Sequence, residues 1–397
     1  MAEYSINVAK WVRELGPAPD EASEKRHHVR GENGKLIRFR NPYPSAGLWQ
    51  DITFFGTVRV ALWARLRGKL TYPDASGVKI PTVEPCSPPF RTALRITWVG
   101  HACCFVEFSS GLCVLFDPVF DNHCSPSQYF GFKRFTAPAC KPTDFPVVDA
   151  VVISHSHYDH LSCQSVKDIA SAYPQAHFFV GMGLASWFEG LGIKQVTEMD
   201  WWENASLTME RASIGTETEM EHETGGPQRI VAQVTCLPSQ HASGRSATDK
   251  DQTLWASWAI ASGGKSVWFA GDTGYRAVPE LPEDVDDYGP DYKHLPRCPY
   301  FKQIGQLYGP FDLGLIPIGA YKPRYMLSGW HANPYDAVEI LRDTRCKAAV
   351  AIHWGTWTLS TEGVDEPPKT LKAALKKAGI EETGVFDVLA IGESRKF

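Results

Sequence analysis

The feature that most constrains the fold of this chain is a six-residue run, His155-Ser-His-Tyr-Asp-His160, which follows directly on the apolar segment VVDAVVIS. A β-branched run of that kind predicts a buried strand, and the polar residues after it predict the loop of a strand-loop-helix unit. In an extended segment alternate side chains share a face, so His155, His157 and Asp159 can converge on one point. A turn at His160 would bring a fourth donor beside them. Three imidazoles and one carboxylate are typical ligands of Zn²⁺, and the alternative interpretation is a polar loop of hydrogen-bonded histidines.

Three further donor residues follow apolar segments later in the chain. His241 comes after VTCLPSQ, Asp272 after KSVWFAG and His353 after KAAVAI. Parallel strands deliver the residues at their carboxyl ends to the same edge of a sheet. Singly each is weak evidence, because a lone histidine after a strand is more often a core residue and Asp272 could merely initiate a turn. Their joint placement favours one site. Four donors could close a single structural zinc, whereas a two-metal hydrolytic site needs further ligands such as these.

Strands and helices alternate over most of the chain. The segments ALRITWVG, CFVEF, LCVLFD, IVAQVTCL, LWASWAIA, FDLGLIPIG and FDVLAIG have the composition of short strands. Helices are predicted at 162–173, 334–344 and 368–379, the second of them opened by Asn333 as N-cap and Pro334 as its first residue. This alternation predicts a layered α/β fold.

The first ninety residues differ in amino-acid composition from the rest of the chain. Residues 1–90 are rich in Gly, Pro and charge, with one plausible helix at 55–70, and they predict an N-terminal extension. Residues 91–397 are the predicted main domain. Two polar interruptions, near 211–228 and 279–303, are too charged or too Pro-rich for a core, and we interpret them as inserted surface loops or lids.

Composition narrows the classes of function. The chain of 397 residues is 43% apolar, the make-up of an ordinary globule with a real core. Its net charge of −5 argues against general nucleic-acid binding. No run of about 18 apolar residues occurs, the N-terminus lacks a signal-peptide core, and ten cysteines without a CxxC spacing predict reduced thiols. We therefore expect an intracellular protein, cytoplasmic or peripherally membrane-associated, that is not secreted.

Longer motifs extend the metal-ligand pattern. ITWVGHA, SPSQYFGFKRF, DAVVISHSHYDHLS, PSQHAS, FAGDTGY, YGPFDLGLIPIGAYKPRY and AIHWGTW occur in this order. In that order they resemble the N-acylphosphatidylethanolamine-hydrolysing phospholipase D family of the metallo-β-lactamase superfamily. The resemblance implies an α/β fold of four layers, the αββα sandwich, with a two-metal site at one sheet edge. It also implies two zinc ions per chain as cofactors.

The same resemblance implies the ligands and the reaction. The implied zinc ligands are His155, His157 and His241 for one ion, Asp159, His160 and His353 for the other, and Asp272 between them. The implied catalytic residues are Asp159 and His331. His331 in GWHANP is also the candidate substrate-binding residue, because the family has a histidine at that position. The implied reaction hydrolyses N-acylphosphatidylethanolamine to an N-acylethanolamine and phosphatidic acid.

Two histidines and one departure from the family pattern leave alternatives open. For His331 the alternative is a solvent-exposed histidine at a helix cap. For His101 in WVGHA, the resemblance implies a role beneath the metals, and the alternative is a core histidine. The family usually has an aromatic residue after the histidine that matches His241, whereas this chain has Ala242 followed by Ser and Gly. That difference would change the pocket wall near one metal.

Three functions and several partners follow as hypotheses. Besides the phospholipase, a hydrolase with the same machinery could act on a lactone or other small ester, and a metal-stabilised binding protein without turnover is the third hypothesis. A phospholipid substrate implies a membrane surface as partner, and the helix at 55–70 carries Arg59, Arg65, Arg67 and Lys69 with no acid. Because its arginines interleave with its apolar face, packing against the sandwich is the alternative for this helix. We expect no nucleic-acid partner and leave a homodimer open.

Overall fold

Two β-sheets face each other in the computed structural model of the protein, which describes residues 4–7, 16–50, 52–84, 93–211, 228–282 and 285–397. The strands among these residues are β1 (Tyr4–Asn7), β2 (His28–Arg30), β3 (Leu36–Phe39), β4 (Arg95–Gly100), β5 (Cys103–Glu107), β6 (Cys113–Phe116), β7 (Ala150–Val152), β8 (His177–Gly181), β9 (Val196–Met199), β10 (Asn204–Arg211), β11 (Gln228–Leu237), β12 (Ser257–Ser262), β13 (Lys265–Phe269), β14 (Leu313–Pro317), β15 (Ala349–Ile352), β16 (Phe386–Asp387) and β17 (Ser394–Lys396). One sheet has the order β1-β10-β11-β12-β13-β14-β15-β16, the other β17-β4-β5-β6-β7-β8-β9, and β2 pairs with β3. The strands from β13 to β16 and from β6 to β9 are parallel, and the remaining pairs are antiparallel.

Helices cover the outer faces of both sheets. The α-helices are α1 (Phe54–Leu66), α2 (Cys163–Ala172), α3 (Ala185–Gly190), α4 (Tyr300–Leu307), α5 (Arg324–Leu327), α6 (Pro334–Asp343) and α7 (Glu366–Ala378). On the seven-stranded sheet, Val166 of α2 and Phe188 of α3 pack in one cluster with Phe105. On the other side α4, α6 and α7 bury apolar residues in the main core. The four layers are therefore helix, sheet, sheet and helix.

The core between the sheets explains the unbroken apolar runs in the sequence. Every residue of β5 is buried, because Cys104 and Val106 face the opposite sheet while Phe105 faces the outer helices. The two sheets meet directly, with ring centroids of Phe116 and Phe269 4.8 Å apart. A strand covered on both faces needs apolar residues at every position, which is why these segments show no alternation.

The four helices predicted from the sequence are confirmed as α1, α2, α6 and α7. At the start of α6, Asn333 accepts a hydrogen bond from the Asp336 amide at 2.8 Å, and Asp336 accepts one in return from the Asn333 amide. The helix α1 ends at Leu66, four residues earlier than predicted, where Gly68 adopts a left-handed φ of 69°. The helices α3, α4 and α5 were not predicted.

The N-terminal residues are attached to the sandwich at several points. The strand β1 pairs with β10 at the edge of the eight-stranded sheet, and Phe39 belongs to the main core. The buried carboxylate of Asp200 lies 2.6 Å from Lys25 Nζ, 2.8 Å from His27 Nε2 and 2.9 Å from His28 Nε2. This buried ion cluster fixes the β2–β3 hairpin on the domain.

The helix α1 lies near the loop that precedes α6. Its Ala64 is buried together with Trp49 and Met326, which confirms that one side of the helix packs on the protein. Nearby, Asn41 Nδ2 donates to the carbonyl of His241 at 2.8 Å. The stretch from residue 41 to α1 therefore borders the predicted site.

The two polar interruptions have different outcomes. Apart from the strand residues at its two ends, the interruption near 211–228 lies outside the described residues. The one at 279–303 ends in α4, whose Tyr300 and Phe301 are buried, so the interpretation as a surface loop is wrong at that end. Its earlier part is held by Arg324, whose Nη2 lies 2.9 Å from Asp287 Oδ2. None of the helices among the described residues combines the length and the apolar composition that a membrane span requires.

Candidate metal centre

All seven predicted donors lie at one end of the two sheets. The loop 155–160 links β7 to α2, His241 follows β11, Asp272 follows β13, and His353 is the first residue after β15. Since β13, β14 and β15 are parallel, their carboxyl ends open onto the same edge. The structure therefore brings together every residue that the sequence singled out as a ligand.

Three imidazoles form the first group of donors, which we call the imidazole trio (His155, His157 and His241). His157 Nδ1 lies 2.9 Å from His155 Nε2 and 3.2 Å from His241 Nε2. Burial holds the pKa of His155 and His241 well below the usual range and lowers the pKa of His157 to about 4. Neutral imidazoles keep the lone pair that a metal needs, so the trio can bind a divalent cation.

The second group, which we call the carboxylate group, consists of Asp159, His160 and His353. Asp159 Oδ2 lies 3.4 Å from His160 Nε2 and 3.5 Å from His353 Nε2. His101 Nε2 lies 3.0 Å from the same oxygen, which favours a role beneath the site over that of an ordinary core histidine. One carboxylate and two imidazoles in this arrangement suit a second divalent cation.

Asp272 stands between the two groups. Its Oδ2 lies 3.2 Å from His160 Nε2 and 3.6 Å from His241 Nε2, while its Oδ1 lies 3.0 Å from His353 Nε2. One carboxylate thus reaches nitrogens of the trio and of the carboxylate group. This is the placement expected of a bridging ligand in a two-metal site.

Buried polar atoms without partners show whether the donor set fits metal ions. Among the described residues, His160 Nε2, His353 Nε2 and Asp272 Oδ1 are buried and lack a hydrogen bond of acceptable geometry. Burying such atoms without a partner costs free energy, yet here His353 Nε2 lies 3.0 Å from Asp272 Oδ1 and His160 Nε2 lies 3.2 Å from Asp272 Oδ2. Donors that converge without bonding one another fit a shared cation, and nitrogen and carboxylate oxygen are ligands that Zn²⁺ prefers.

The electrostatics of the carboxylate side agree with this fit. Burial raises the pKa of Asp272, but the charges of His160 and His353 outweigh it and keep that pKa well below the usual range. Conversely, burial lowers the pKa of His353, but the attraction of Asp272 outweighs it and raises the pKa to about 9. A divalent cation competes with protons for such nitrogens, because an imidazole nitrogen must lose its proton before it can bind a metal.

Asp117 supports the carboxylate group from behind and was missed in the sequence. Its Oδ2 lies 2.6 Å from His160 Nδ1, and its carboxylate also accepts from the Ser154 amide at 2.7 Å. A carboxylate behind a ligand imidazole fixes the ring orientation and the tautomer. The available signal was its position, because Asp117 directly follows the apolar run of β6 as Asp272 follows that of β13.

Three residues of the site have a strained backbone. His101, Asp117 and His353 adopt φ values of 53°, 37° and 64°. Residues other than glycine rarely adopt such angles, and surrounding contacts must hold them there. Each follows the end of a strand, so the turn directs its side chain towards the centre.

His331 lies inside the site. Its side chain is largely buried, Nδ1 is 3.8 Å from Asp272 Oδ2, and its ring centroid is 5.0 Å from that of His241. The alternative of a solvent-exposed cap residue is therefore wrong. Burial lowers the pKa of His331 to about 4, and among the described residues its Nδ1 has no hydrogen-bond partner. A neutral imidazole with a free nitrogen at this position is suited to contact a substrate.

Arg245 connects the chain after His241 to the loop 155–160, and no sequence pattern predicted this contact. Its Nη1 donates to the carbonyls of Ser156 at 2.8 Å and Leu161 at 2.7 Å, and its guanidinium carbon lies 4.0 Å from the ring centre of Tyr158. In this turn Gly244 adopts a φ of 145°. The partners are main-chain carbonyls, which leave no mark in a sequence.

The comparisons with known proteins agree with this geometry. Residues 113–354 match the family described as Beta-lactamase superfamily domain. N-acyl-phosphatidylethanolamine-hydrolyzing phospholipase D 1 of Caenorhabditis elegans is 34% identical over 288 residues, which cover 71% of this chain and 70% of that protein. The mitochondrial N-acyl-phosphatidylethanolamine-hydrolyzing phospholipase D of Saccharomyces cerevisiae is 28% identical over 305 residues, covering 76% of this chain and 56% of that protein. A possible metal-dependent hydrolase from Veillonella parvula has a similar fold, with a TM-score of 0.50 at 13% identity, covering 77% of this chain and 100% of that one.

The fold and the donor set define a metal-dependent hydrolase of the β-lactamase type. The chain belongs to the metallo-β-lactamase superfamily and, within it, to the family of N-acylphosphatidylethanolamine-hydrolysing phospholipases D. The resemblance that the motifs carried is confirmed, and so is the αββα sandwich. A metallohydrolase of this fold binds divalent metal, and the donor clusters described above are its candidate sites.

Proposed function

We propose that this chain is a dizinc phosphodiesterase of phospholipase D type, which hydrolyses N-acylphosphatidylethanolamine to an N-acylethanolamine and phosphatidic acid. The observation that carries the proposal is the convergence of the imidazole trio and the carboxylate group on Asp272. The choice of substrate is supported by the names of the relatives from Caenorhabditis elegans and Saccharomyces cerevisiae.

In this proposal each group of donors would hold one zinc ion, and Asp272 would be a ligand shared by the two groups. When bound, two zinc ions would lower the pKa of a water molecule and offset the charge that develops on the phosphate oxygens. The remaining tasks belong to side chains. They must hold the phosphodiester in line with the attacking water and accept the proton that this water gives up.

Asp159 and His331 are the proposed catalytic residues. The side chain of Asp159 is 14% exposed while His160 and His353 are fully buried, so Asp159 forms part of the wall that solvent reaches. From there its carboxylate can accept a proton from the water that attacks phosphorus. His331 carries a free Nδ1 close to Asp272 and, as a neutral ring, can hydrogen-bond an oxygen of the phosphodiester and orient it.

The test follows the oxygen atom of water. Purified metal-loaded protein is incubated with mixed N-acylated phospholipids in ¹⁸O-water, and the products are analysed by mass spectrometry. Attack on phosphorus breaks the bond to the ethanolamine oxygen, so we expect label in phosphatidic acid and none in the N-acylethanolamine. Label in the N-acylethanolamine would mean attack at carbon and would contradict the proposed mechanism.

A second candidate function is hydrolysis of a lactone or another small ester. The observation that favours it is the wall beside the trio, where Ala242 stands in place of the aromatic residue usual in the family. A panel of lactones and esters assayed beside the phospholipids separates the two. Turnover of a lactone without cleavage of any N-acylated phospholipid would replace the first proposal.

A phospholipid substrate also implies work at a membrane surface, and the proposal includes peripheral binding there. The side of α1 away from the protein carries large apolar side chains between its arginines, with Phe55 82% and Leu66 78% exposed. Arg59 and Arg65 on the same helix can meet anionic head groups. This contact is tested together with the one inferred below.

A further inference from the structure

A second exposed apolar element lies in the loop that follows β6. The loop 125–132, which we call the aromatic loop, carries Tyr129 and Phe130 at its tip with 89% and 72% exposure. Soluble proteins seldom present two adjacent aromatic rings to water, and such a patch marks a contact surface. The metal chemistry described above makes no use of these two residues.

The base of the aromatic loop is fixed, so its tip is held outward. The Cys124 amide donates to the Phe132 carbonyl at 3.2 Å, and Ser125 Oγ donates to the Phe130 carbonyl at 2.5 Å. Gly131 has a φ of 109°, and a side chain there would begin 2.6 Å from the Ser125 Cβ. The loop is therefore a preformed turn that projects the two rings at little cost in conformational entropy.

Contacts connect this loop to the metal centre. Just before it, the Asn122 carbonyl accepts a hydrogen bond from Trp357 Nε1 at 3.5 Å. The ring of Trp357 meets His101 edge to face, with centroids 4.8 Å apart, and His101 contacts Asp159. The residues that lead into the aromatic loop thus adjoin the proposed active site.

The loop also meets the chain that leaves α1. The rings of Phe132 and Tyr72 lie 5.5 Å apart, and Tyr72 follows the end of α1 by six residues. Both elements carry exposed apolar side chains, and their charged residues are basic, with Lys133 beside the loop and Arg59 and Arg65 in the helix. Neither α1 nor the aromatic loop contains an acidic residue.

We propose that the aromatic loop is a second membrane anchor, which inserts Tyr129 and Phe130 into the interface of an anionic lipid bilayer while α1 contacts the same bilayer. The inference rests on the proposed function, since a lipid substrate supplies the reason for docking. Exposed apolar rings next to Lys133, together with the basic residues of α1, complement a surface with an apolar interior and negative head groups. A protein partner would not require that both elements lack acidic residues.

The experiment uses full-length, metal-loaded protein and vesicles of phosphatidylcholine mixed with phosphatidylglycerol, without any N-acylated lipid. Binding is therefore measured independently of the substrate, and the proposed function can fail while this inference stands. The double variant Tyr129→Ser/Phe130→Ser should bind vesicles about tenfold more weakly, because two apolar rings no longer leave water. The matched control Ile37→Ser/Val231→Ser removes two exposed apolar side chains on β3 and β11 and should bind like the wild type.

Zinc content and melting temperature establish that each variant is folded. If the serine variant melts early, the single variant Phe130→Glu repeats the test at one largely exposed side chain, with the same expected loss. Unchanged binding of both loop variants would overturn the inference, as would an equal loss in the control. Wild-type binding that does not depend on phosphatidylglycerol would overturn the choice of an anionic surface. A wild-type dimer that the loop variant converts to monomer, with vesicle binding unchanged, would show that the loop joins two copies of this chain.

Discussion

The imidazole trio and the carboxylate group differ in what stands behind their rings. In the trio, His241 Nδ1 lies 3.0 Å from the Trp330 carbonyl, a neutral main-chain acceptor. In the carboxylate group, His160 Nδ1 lies 2.6 Å from the buried Asp117 carboxylate. The trio itself contains no carboxylate, whereas Asp159 belongs to the other group.

This difference in charge has a consequence for metal affinity. A neutral carbonyl orients an imidazole without making it much more basic, whereas a carboxylate does both. Attraction between a divalent cation and nearby carboxylates is strong in a buried site, where screening is weak. We therefore expect the carboxylate group to hold its metal more tightly than the trio does. Each prediction below acts on one side of this comparison or on both.

The largest effect is expected from Asp272→Ala, because this carboxylate reaches both groups. The variant should lose metal from both positions, and hydrolysis should fall about 1,000-fold or more, since metal stabilisation of the reaction amounts to several kcal/mol. Metal is measured by elemental analysis and hydrolysis by product formation. The control is Asp365→Ala, which removes an exposed carboxylate paired with Lys369. A variant that kept both metals and its activity would remove Asp272 from the centre.

Asp117→Asn acts mainly on the carboxylate group, because Asp117 contacts His160 directly and reaches His155 of the trio only through Ser154 Oγ. The amide cannot offer His160 a charged acceptor, so affinity for the second metal should fall about 100-fold, and affinity of the trio should fall much less. Competition with a zinc chelator should show one site weakened strongly and the other only slightly. The matched control is Asp200→Asn, another buried carboxylate in contact with imidazoles, which should lower the melting temperature and leave zinc affinity intact. Equal weakening of both sites would contradict the separation of the two groups.

The ligands could be predicted from sequence because each lies in the loop that follows an apolar strand. The geometry of parallel strands then converts a one-dimensional pattern into convergence at one edge, as for Asp272 after β13 and His353 after β15. Asp117 has the same local pattern, but its role depends on the parallel pairing of β6 with β7. That pairing sets its carboxylate beside Ser154 and His160 and has no signal in β6 itself.

Other features could not be predicted for different physical reasons. The helix α4 begins inside a Pro-rich stretch, and its formation depends on burial of Tyr300 and Phe301 in the main core, a tertiary contact that overrides local composition. For His331 the resemblance implied a role in the site, but the local residues alone also fit a cap residue, since Asn333 and Pro334 open α6. The packing of that loop, which turns the ring inward, decides between the two.

Arg245→Met tests the trio, with the smallest expected effect. Arg245 follows His241 by four residues and donates a hydrogen bond to the carbonyl of Ser156, which lies between His155 and His157. It therefore fixes the three imidazole rings of the trio relative to one another. Methionine fills similar volume without the two hydrogen bonds, and affinity for the first metal should fall about tenfold. A lysine ammonium is a single point charge and cannot reproduce the paired hydrogen bonds of the guanidinium. Arg245→Lys should therefore lose less affinity than Arg245→Met but still bind the first metal more weakly than the wild type.

The matched control for this variant is Arg342→Met. Arg342 also donates to a main-chain carbonyl, that of Ala378 at 2.7 Å, but it does so on the outer helices. It should lower the melting temperature without changing either zinc affinity. If Arg245→Met weakened the carboxylate group as much as the trio, the arginine would stabilise the loop 155–160 as a whole. The two halves of the centre would then share one support, and the contrast drawn from Trp330 and Asp117 would not describe how each half holds its metal.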